Sequence, residues 1–274
     1  MSDLPAVSRT AIGVARARAA EAGRPDPLFD DPFAAAFVTA AGMDTGTADL
    51  GELTEEQRRW RAAIAFHISI RTRFFDDYLL AAVHSGIRQV VVLGAGLDTR
   101  AFRLEVPDPD VHWFELDLPD VLAFKQAVLE AEGAVPRGHR TPIAVDLAAD
   151  WSAALQVAGF CLASPTAWLA EGLLVYLDRA TAEHVLTAAT ALSAPGSRLA
   201  AERGELAAQL AATSGSERLD EASALWQGGL DDGVIAWLSA HGWHPTEYDV
   251  ADVATSYGRQ APQSARSGFV TAAR

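Results

Sequence analysis

The sequence is poor in several things, and each shortage removes a class of answer. It has one cysteine, Cys161, so no internal disulfide can form and a reducing, cytoplasmic setting is expected. Cys161 lies in the apolar stretch GFCLAS, which reads as an inert core thiol. It has one lysine, Lys125, among 22 basic residues, against 36 acidic ones, for a net charge of −14. With no evident basic patch, a nucleic-acid partner is not expected. No apolar run approaches the ~20 residues that a bilayer span needs, so no membrane partner is expected either. The opening stretch MSDLPAVSRTAIGVARARAAEAG lacks the apolar centre of an export signal and reads as an Arg-bearing helical arm. No histidine or cysteine cluster offers metal ligands, so no metal is expected. Internal repeats and low-complexity segments are missing too.

What is present suits one large α/β domain. Half of the 274 residues are hydrophobic, enough to bury a sizeable core. Residues 1–85 read as mostly helix, interrupted by RPDPLFDDPFA (24–34) and GMDTGTADLGE (42–52). Thr54 and Gln57 have the spacing of a capping box at the head of a long helix. From residue 88 the pattern changes to strand–helix alternation. Strands are expected at RQVVVLG (88–94), VHWFELD (111–117), TPIAVDL (141–147), TAWLAEG (166–172) and SRLAAER (197–203). Helices are expected over 118–132 and 178–192, with a helical insertion over 204–229. Two last strands are expected near 245–250 and 268–273. Repeated βα units with near-continuous apolar strands imply a parallel sheet covered on both faces. The hairpin-like finish implies an antiparallel edge strand.

The strand ends carry the chemistry. VVVLGAGLDTR puts Gly94 and Gly96 where the first strand stops. Missing side chains let the backbone come close to a ligand, and ligands of open α/β sheets bind at that end. A purely structural tight turn explains Gly-x-Gly as well. The dinucleotide fingerprint would need a third glycine, and position 99 is Thr. The second strand ends in Glu115 and Asp117, which alternation puts on one face, about 20 residues after the glycines. A carboxylate there accepts hydrogen bonds from ribose hydroxyls or caps the following helix. At the third strand end, Asp146 and Leu147 suit an adenine, with Asp146 accepting from the amine and Leu147 packing on the ring; a helix N-cap by Asp146 is the alternative. The fourth ends at Glu171, costly to bury unless it meets a cation or several donors. The implied ligand has a ribose, an adenine and a positive group. S-adenosyl-L-methionine fits that description. NAD fits worse, because its pyrophosphate prefers a helix start free of acids.

The motifs RTRFFDDYLL, VVVLGAGLDTRAFRL, WFELDLPDV, VDL and WLAEGLLVYL, in this order, resemble the leucine carboxyl methyltransferase family, and within it a bacterial branch of polyketide and small-molecule O-methyltransferases. The resemblance runs from about Asp26 to Leu177. It implies a class I methyltransferase fold: a Rossmann-like sheet, mostly parallel, with an antiparallel C-terminal strand. The chain then divides into a helical cap (1–85), a cofactor-binding core (86–203), a helical lid (204–229) and C-terminal strands (230–274). The resemblance also implies S-adenosyl-L-methionine as methyl donor, with S-adenosyl-L-homocysteine as product. Arg71 would meet the methionine carboxylate. Gly94 and Gly96 would pass beside the methionine moiety. Asp117 would hold the ribose with support from Glu115, Asp146 and Leu147 would take the adenine, and Glu171 would lie near the ammonium end.

The methyl acceptor is expected to be an oxygen on a small molecule, a carboxylate or an acidic hydroxyl. N- or C-methylation is the alternative, as is a nicotinamide-dependent reductase, which the missing glycine and the lack of a Tyr-x-x-x-Lys pair disfavour. His67 and Tyr176 are the acceptor-side catalytic candidates, with Arg73 and His244 behind them. His67 lies four residues before Arg71, on the same helix face. A plain surface or core histidine is the favoured reading of His67, and packing that of Tyr176. Trp226 and Trp237 flank the insertion and suit either an apolar pocket or the core.

Overall fold

The computed structural model describes residues 6–43, 54–204, 227–230, 233–261 and 267–274. Three helices come first: α1 (Ala6–Ala22), α2 (Ala34–Ala40) and α3 (Glu55–His84). β1 (Gln89–Leu93), the short α4 (Arg100–Arg103), β2 (His112–Asp117), α5 (Pro119–Ala131), β3 (His139–Ala144), α6 (Ser152–Val157), β4 (Thr166–Ala170), α7 (Arg179–Ala191) and β5 (Arg198–Gly204) follow. The chain ends with α8 (Gly233–Ala240), β6 (His244–Asp249), α9 (Val250–Ser256) and β7 (Ser267–Ala273). The capping box expected at Thr54 and Gln57 is formed in both directions.

One seven-stranded sheet has the order β3-β2-β1-β4-β5-β7-β6. β1 is buried along its whole length, and its residues alternate between two cores. Val90 and Val92 face a layer built from α1, α2, α3, α5 and α9; Val91 and Leu93 face α6, α7 and α8. Covering both faces removes water from all of β1 and explains its unbroken apolar run. The strand order reverses between β1 and β4, so the loops after those two strands lie side by side, the position where ligands of such sheets bind.

Four expectations need correction. β7 is the antiparallel strand, but it lies between β5 and β6 rather than at the edge; β6 is the edge. β3 runs over His139–Ala144 and stops before Asp146, because Asp146 Oδ1 accepts the Ala148 N–H at 2.9 Å and turns the chain away. β4 stops at Ala170, since Gly172 takes a φ of 59° that ends the strand. Cys161 is exposed, not a core thiol: its backbone N–H is held by Gln89 Oε1 at 2.7 Å, and the chain then turns outward. Most of the expected lid over 204–229, Trp226 included, lies outside the described residues, as does most of the 42–52 loop. No helix among the described residues is long and apolar enough to cross a membrane.

Candidate active site

At the carboxyl ends of the strands a cavity of about 250 Å³ opens above the β1–β4 junction. Its floor is the backbone of Gly94, Ala95 and Gly96 after β1. Asp117 comes from the end of β2, Asp146 and Leu147 from beyond β3, and Glu171, Gly172 and Leu173 from beyond β4. Tyr176, in the 3-10 turn Leu174–Tyr176, closes one side. α1 covers the cavity with Thr10, Ala11, Val14 and Arg18, so the arm is part of the wall.

Gly94 and Gly96 have φ of 65° and 46°, a region that L side chains enter at a cost. A Cβ on Gly94 would also stand 2.9 Å from Leu173 Cδ1. Gly94→Ala is therefore expected to lose about 1–2 kcal/mol of stability from the left-handed backbone alone. Denaturant unfolding checks this; an unchanged midpoint would show that the loop relaxes freely.

Asp117 reaches back under the glycine loop. Its Oδ2 accepts from Gly96 N–H at 2.6 Å and its Oδ1 from Leu118 N–H at 2.7 Å. Burial pushes the carboxyl above its ordinary value, while these two donors pull the other way. Each oxygen keeps a lone pair for a ligand hydroxyl. Glu115 does not join it at the cavity. It is 1 % exposed and binds Lys125 Nζ at 2.7 Å and Arg140 Nη2 at 2.8 Å. The single lysine is thus buried behind Asp117, where one excess positive charge offsets that carboxylate. Glu115 is expected to support Asp117, and the structure places it beside Lys125 and Arg140, outside the cavity lining.

On the far side, α3 and the β4 loop meet in a buried ion network. Arg71 Nε donates to Glu171 Oε1 at 2.9 Å, and Arg100 Nη1 lies 2.6 Å from Glu171 Oε2. Arg100 is fully buried and also binds Asp98 and, at 2.6 Å, Asp76; Arg103 takes both Asp76 oxygens at 2.7 Å. Arg71 Nη1 donates to both oxygens of Glu202, on β5, at 3.2 Å. Burial works against the Glu202 charge, but Arg71 and a hydrogen bond to His67 outweigh it and hold the carboxyl at about 2. Four carboxylates (Asp76, Asp98, Glu171, Glu202) thus face three guanidiniums (Arg71, Arg100, Arg103), and one negative charge is left over. With Asp146 across the cavity, the site is electrostatically matched to a cation.

The candidates on the acceptor side divide. Tyr176 lines the cavity. His67 does not: its Nε2 is 2.9 Å from Glu202 Oε1, so it stands behind that carboxylate. Arg73 is turned away, paired with Asp77 at 3.0 Å and donating to Leu28 O at 2.8 Å. His244 is exposed on β6, and Trp237 stacks on His241 at 3.8 Å, away from the cavity wall. Nothing in the local sequence pattern marks Arg100 or Asp98 as site residues. Glu202 had a signal, an acid ending the fifth strand as acids end the second and fourth.

A family model for leucine carboxyl methyltransferases matches residues 11–190, which include the glycine loop, Asp117, Asp146 and Glu171. The chain belongs to the leucine carboxyl methyltransferase family. It is 47 % identical to a protein of Parafrankia sp. over 98 % of this chain and 87 % of the relative. A protein of Streptomyces coelicolor is 43 % identical over 91 % of this chain and 87 % of the relative. Both carry the name S-adenosyl-L-methionine-dependent methyltransferase, itself an inferred one. Solved structures support the fold alone. A DUF574 family protein from Streptomyces avermitilis aligns with a TM-score of 0.55 at 18 % identity, over 87 % of this chain and 95 % of that one. The methyltransferase domain of bacterial CtHen1-C aligns with a TM-score of 0.50 at 11 % identity, over 72 % of this chain and 95 % of that one. The fold is that of the class I methyltransferases, a mostly parallel seven-stranded sheet with β7 reversed.

Proposed function

We propose that this family member transfers a methyl group from S-adenosyl-L-methionine to an oxygen of a small acidic molecule, a carboxylate or an acidic hydroxyl, and releases S-adenosyl-L-homocysteine. One observation carries the cofactor half: a glycine-floored cavity whose strand ends supply Asp117, Asp146 and Glu171, with net negative charge and a single exposed edge of Arg71. Asp117 accepts from the ribose hydroxyls. The free side of Asp146 accepts from the adenine amine while Leu147 packs on the ring. Glu171 faces the ammonium, and Arg71 the carboxylate, of the amino-acid tail. The sulfonium supplies an electrophilic methyl group, and a site with surplus carboxylate charge favours that cation. The pyrophosphate of a nicotinamide cofactor would instead meet Asp98 and Glu171, which disfavours a reductase.

The transfer is a displacement at carbon, so the chain's work is positioning. An acid of pKa near ~4 is ionised at neutral pH and needs no base. That agrees with His67 standing behind Glu202 rather than at the cavity. Tyr176, Leu173 and Leu177, with Val14 of α1 opposite, offer an apolar wall for the acceptor. The resemblance of the motifs to a bacterial small-molecule O-methyltransferase branch supports a small natural-product-like acid over a protein terminus.

Calorimetry with S-adenosyl-L-homocysteine tests the cofactor, and a micromolar Kd is expected, about −8 kcal/mol. Methyl-labelled cofactor with a panel of small carboxylic acids, phenols and amines tests the acceptor. Transfer to a carboxylic acid at a rate nearly flat above about pH 6 is expected. Binding of NADPH but not of S-adenosyl-L-homocysteine would sink the cofactor assignment. Transfer to an amine or indole, with a rate rising near pH 7, would move the acceptor to nitrogen or carbon.

A further inference from the structure

We propose that Glu202, which does not line the cavity, is a positioning residue for the amino-acid tail of the cofactor and acts through Arg71. The inference rests on the reading that this tail lies between Arg71 and Glu171.

The Arg71 guanidinium carries five N–H groups in a rigid fork. Nε is spent on Glu171, and Nη1 on the two oxygens of Glu202. Nη2 makes no hydrogen bond to a described residue, and Arg71 lines the cavity. Glu202 thus holds one edge of the fork and leaves another edge for a ligand carboxylate.

Glu202 is fixed from two further sides. His67, one helical turn before Arg71 on α3, holds Oε1 at 2.9 Å. The Gly172 N–H donates to Oε2 at 2.5 Å. Position 172 favours glycine: its backbone φ of 59° strains any side chain, and a Cβ would press on Arg71 Nη1 at 3.3 Å and touch Glu202 Oε2 at 3.6 Å. α3, β5 and the loop after β4 therefore converge to set the plane of one guanidinium.

Without the Glu202 charge, Arg71 has one carboxylate within reach, Glu171. An arginine beside a single carboxylate closes on it with two parallel hydrogen bonds. That rotation would turn Nη2 from the cavity onto Glu171 and occupy the carboxylate that the ammonium needs. Both contacts to the tail would weaken together, and those to the adenosine half would not.

The experiment compares two ligands on the full chain by calorimetry. S-adenosyl-L-homocysteine has the amino-acid tail; 5′-methylthioadenosine has the adenosine half without it. Glu202→Gln keeps the shape and removes the charge. It is expected to weaken S-adenosyl-L-homocysteine tenfold or more and to leave 5′-methylthioadenosine within twofold of wild type. Equal losses for both ligands would mean that Glu202 only supports the fold, and no loss would mean that Arg71 holds its place unaided; either overturns the proposal. If Glu202→Gln does not fold, Glu202→Asp takes its place in the same two-ligand comparison. It keeps the charge but is too short to keep all four bonds, so a selective loss of S-adenosyl-L-homocysteine is again expected, and equal losses or none again overturn the proposal. A wild-type chain that binds 5′-methylthioadenosine but not S-adenosyl-L-homocysteine would instead refute the assignment of the tail itself.

Discussion

Arg100→Ala is expected to destabilise the protein by roughly 3–5 kcal/mol, the range for removing one partner from a buried ion pair. The Arg100 guanidinium is fully buried and meets three carboxylates, those of Asp76, Asp98 and Glu171. A further bond runs from Nη2 to Thr72 O at 3.2 Å. Burial disfavours its charge, yet the carboxylates more than offset that and raise its pKa. Truncation would leave Asp98 with mainly its bond from the Arg100 backbone N–H and would leave Glu171 to Arg71 alone. Arg103 still covers Asp76, which keeps the expected loss inside the range rather than above it. Against a total stability of about 5–15 kcal/mol the loss is large. Arg100→Lys is not expected to rescue, because a single ammonium cannot span three carboxylates in the geometry of the fork. Chemical denaturation of the two variants beside wild type is the check. A midpoint for Arg100→Ala within error of wild type would show that the carboxylates find water or take up protons at little cost.

The parts of the site readable in the sequence are those set by local pattern. Gly94 and Gly96 follow a run of β-branched residues, and Asp117 ends an alternating strand, so strand ends and glycines could be found without the fold. Glu171 was legible as a problem: a carboxylate in an apolar strand that needed a cation. Its partners were not legible, because Arg71 lies 100 residues away and Arg100 sits in a four-residue helix with no periodicity to read. Glu202 has the same difficulty, with partners 135, 131 and 30 residues distant. Its neighbour Arg203 makes the pair look like an ordinary solvated strand end. Cys161 misled for the opposite reason. Its neighbours Gly159–Leu162 are mostly apolar, but of them only Phe160 is buried in the second core, and one backbone bond to Gln89 turns the thiol outward. β7 is legible as a strand, but the sequence carries no signal for its insertion between β5 and β6, which depends on pairing across the whole C-terminal segment.

Asp117→Ala is expected to weaken S-adenosyl-L-homocysteine by about 2–3 kcal/mol, the range for hydrogen bonds to a charged group. That corresponds to roughly 30–150-fold in Kd. The carboxylate also anchors the glycine loop through Gly96 and Leu118, so loss of affinity alone does not separate ligand contact from loop support. A hydroxyl-deletion cycle does. The 2′-deoxy form of the ligand should bind wild type more weakly than the parent, and Asp117→Ala should bind both forms alike. If the hydroxyl still matters in Asp117→Ala, the ribose is held by another group and Asp117 serves only the loop. Glu115→Gln provides the contrast. Its carboxylate touches Lys125 and Arg140 but not the cavity, so stability should fall while the hydroxyl still counts in full. The pH dependence follows in sign. The ionised carboxylate is the form that accepts from both hydroxyls, and burial raises its pKa above the ordinary 3.8. Affinity in wild type should therefore decline, as pH falls, before an ordinary carboxyl would titrate, and the decline should be absent in Asp117→Ala. Both carboxylates are strand-end acids in the sequence; what separates them in the fold is that Asp117 lines the cavity and binds the glycine loop, while Glu115 is buried against Lys125 and Arg140.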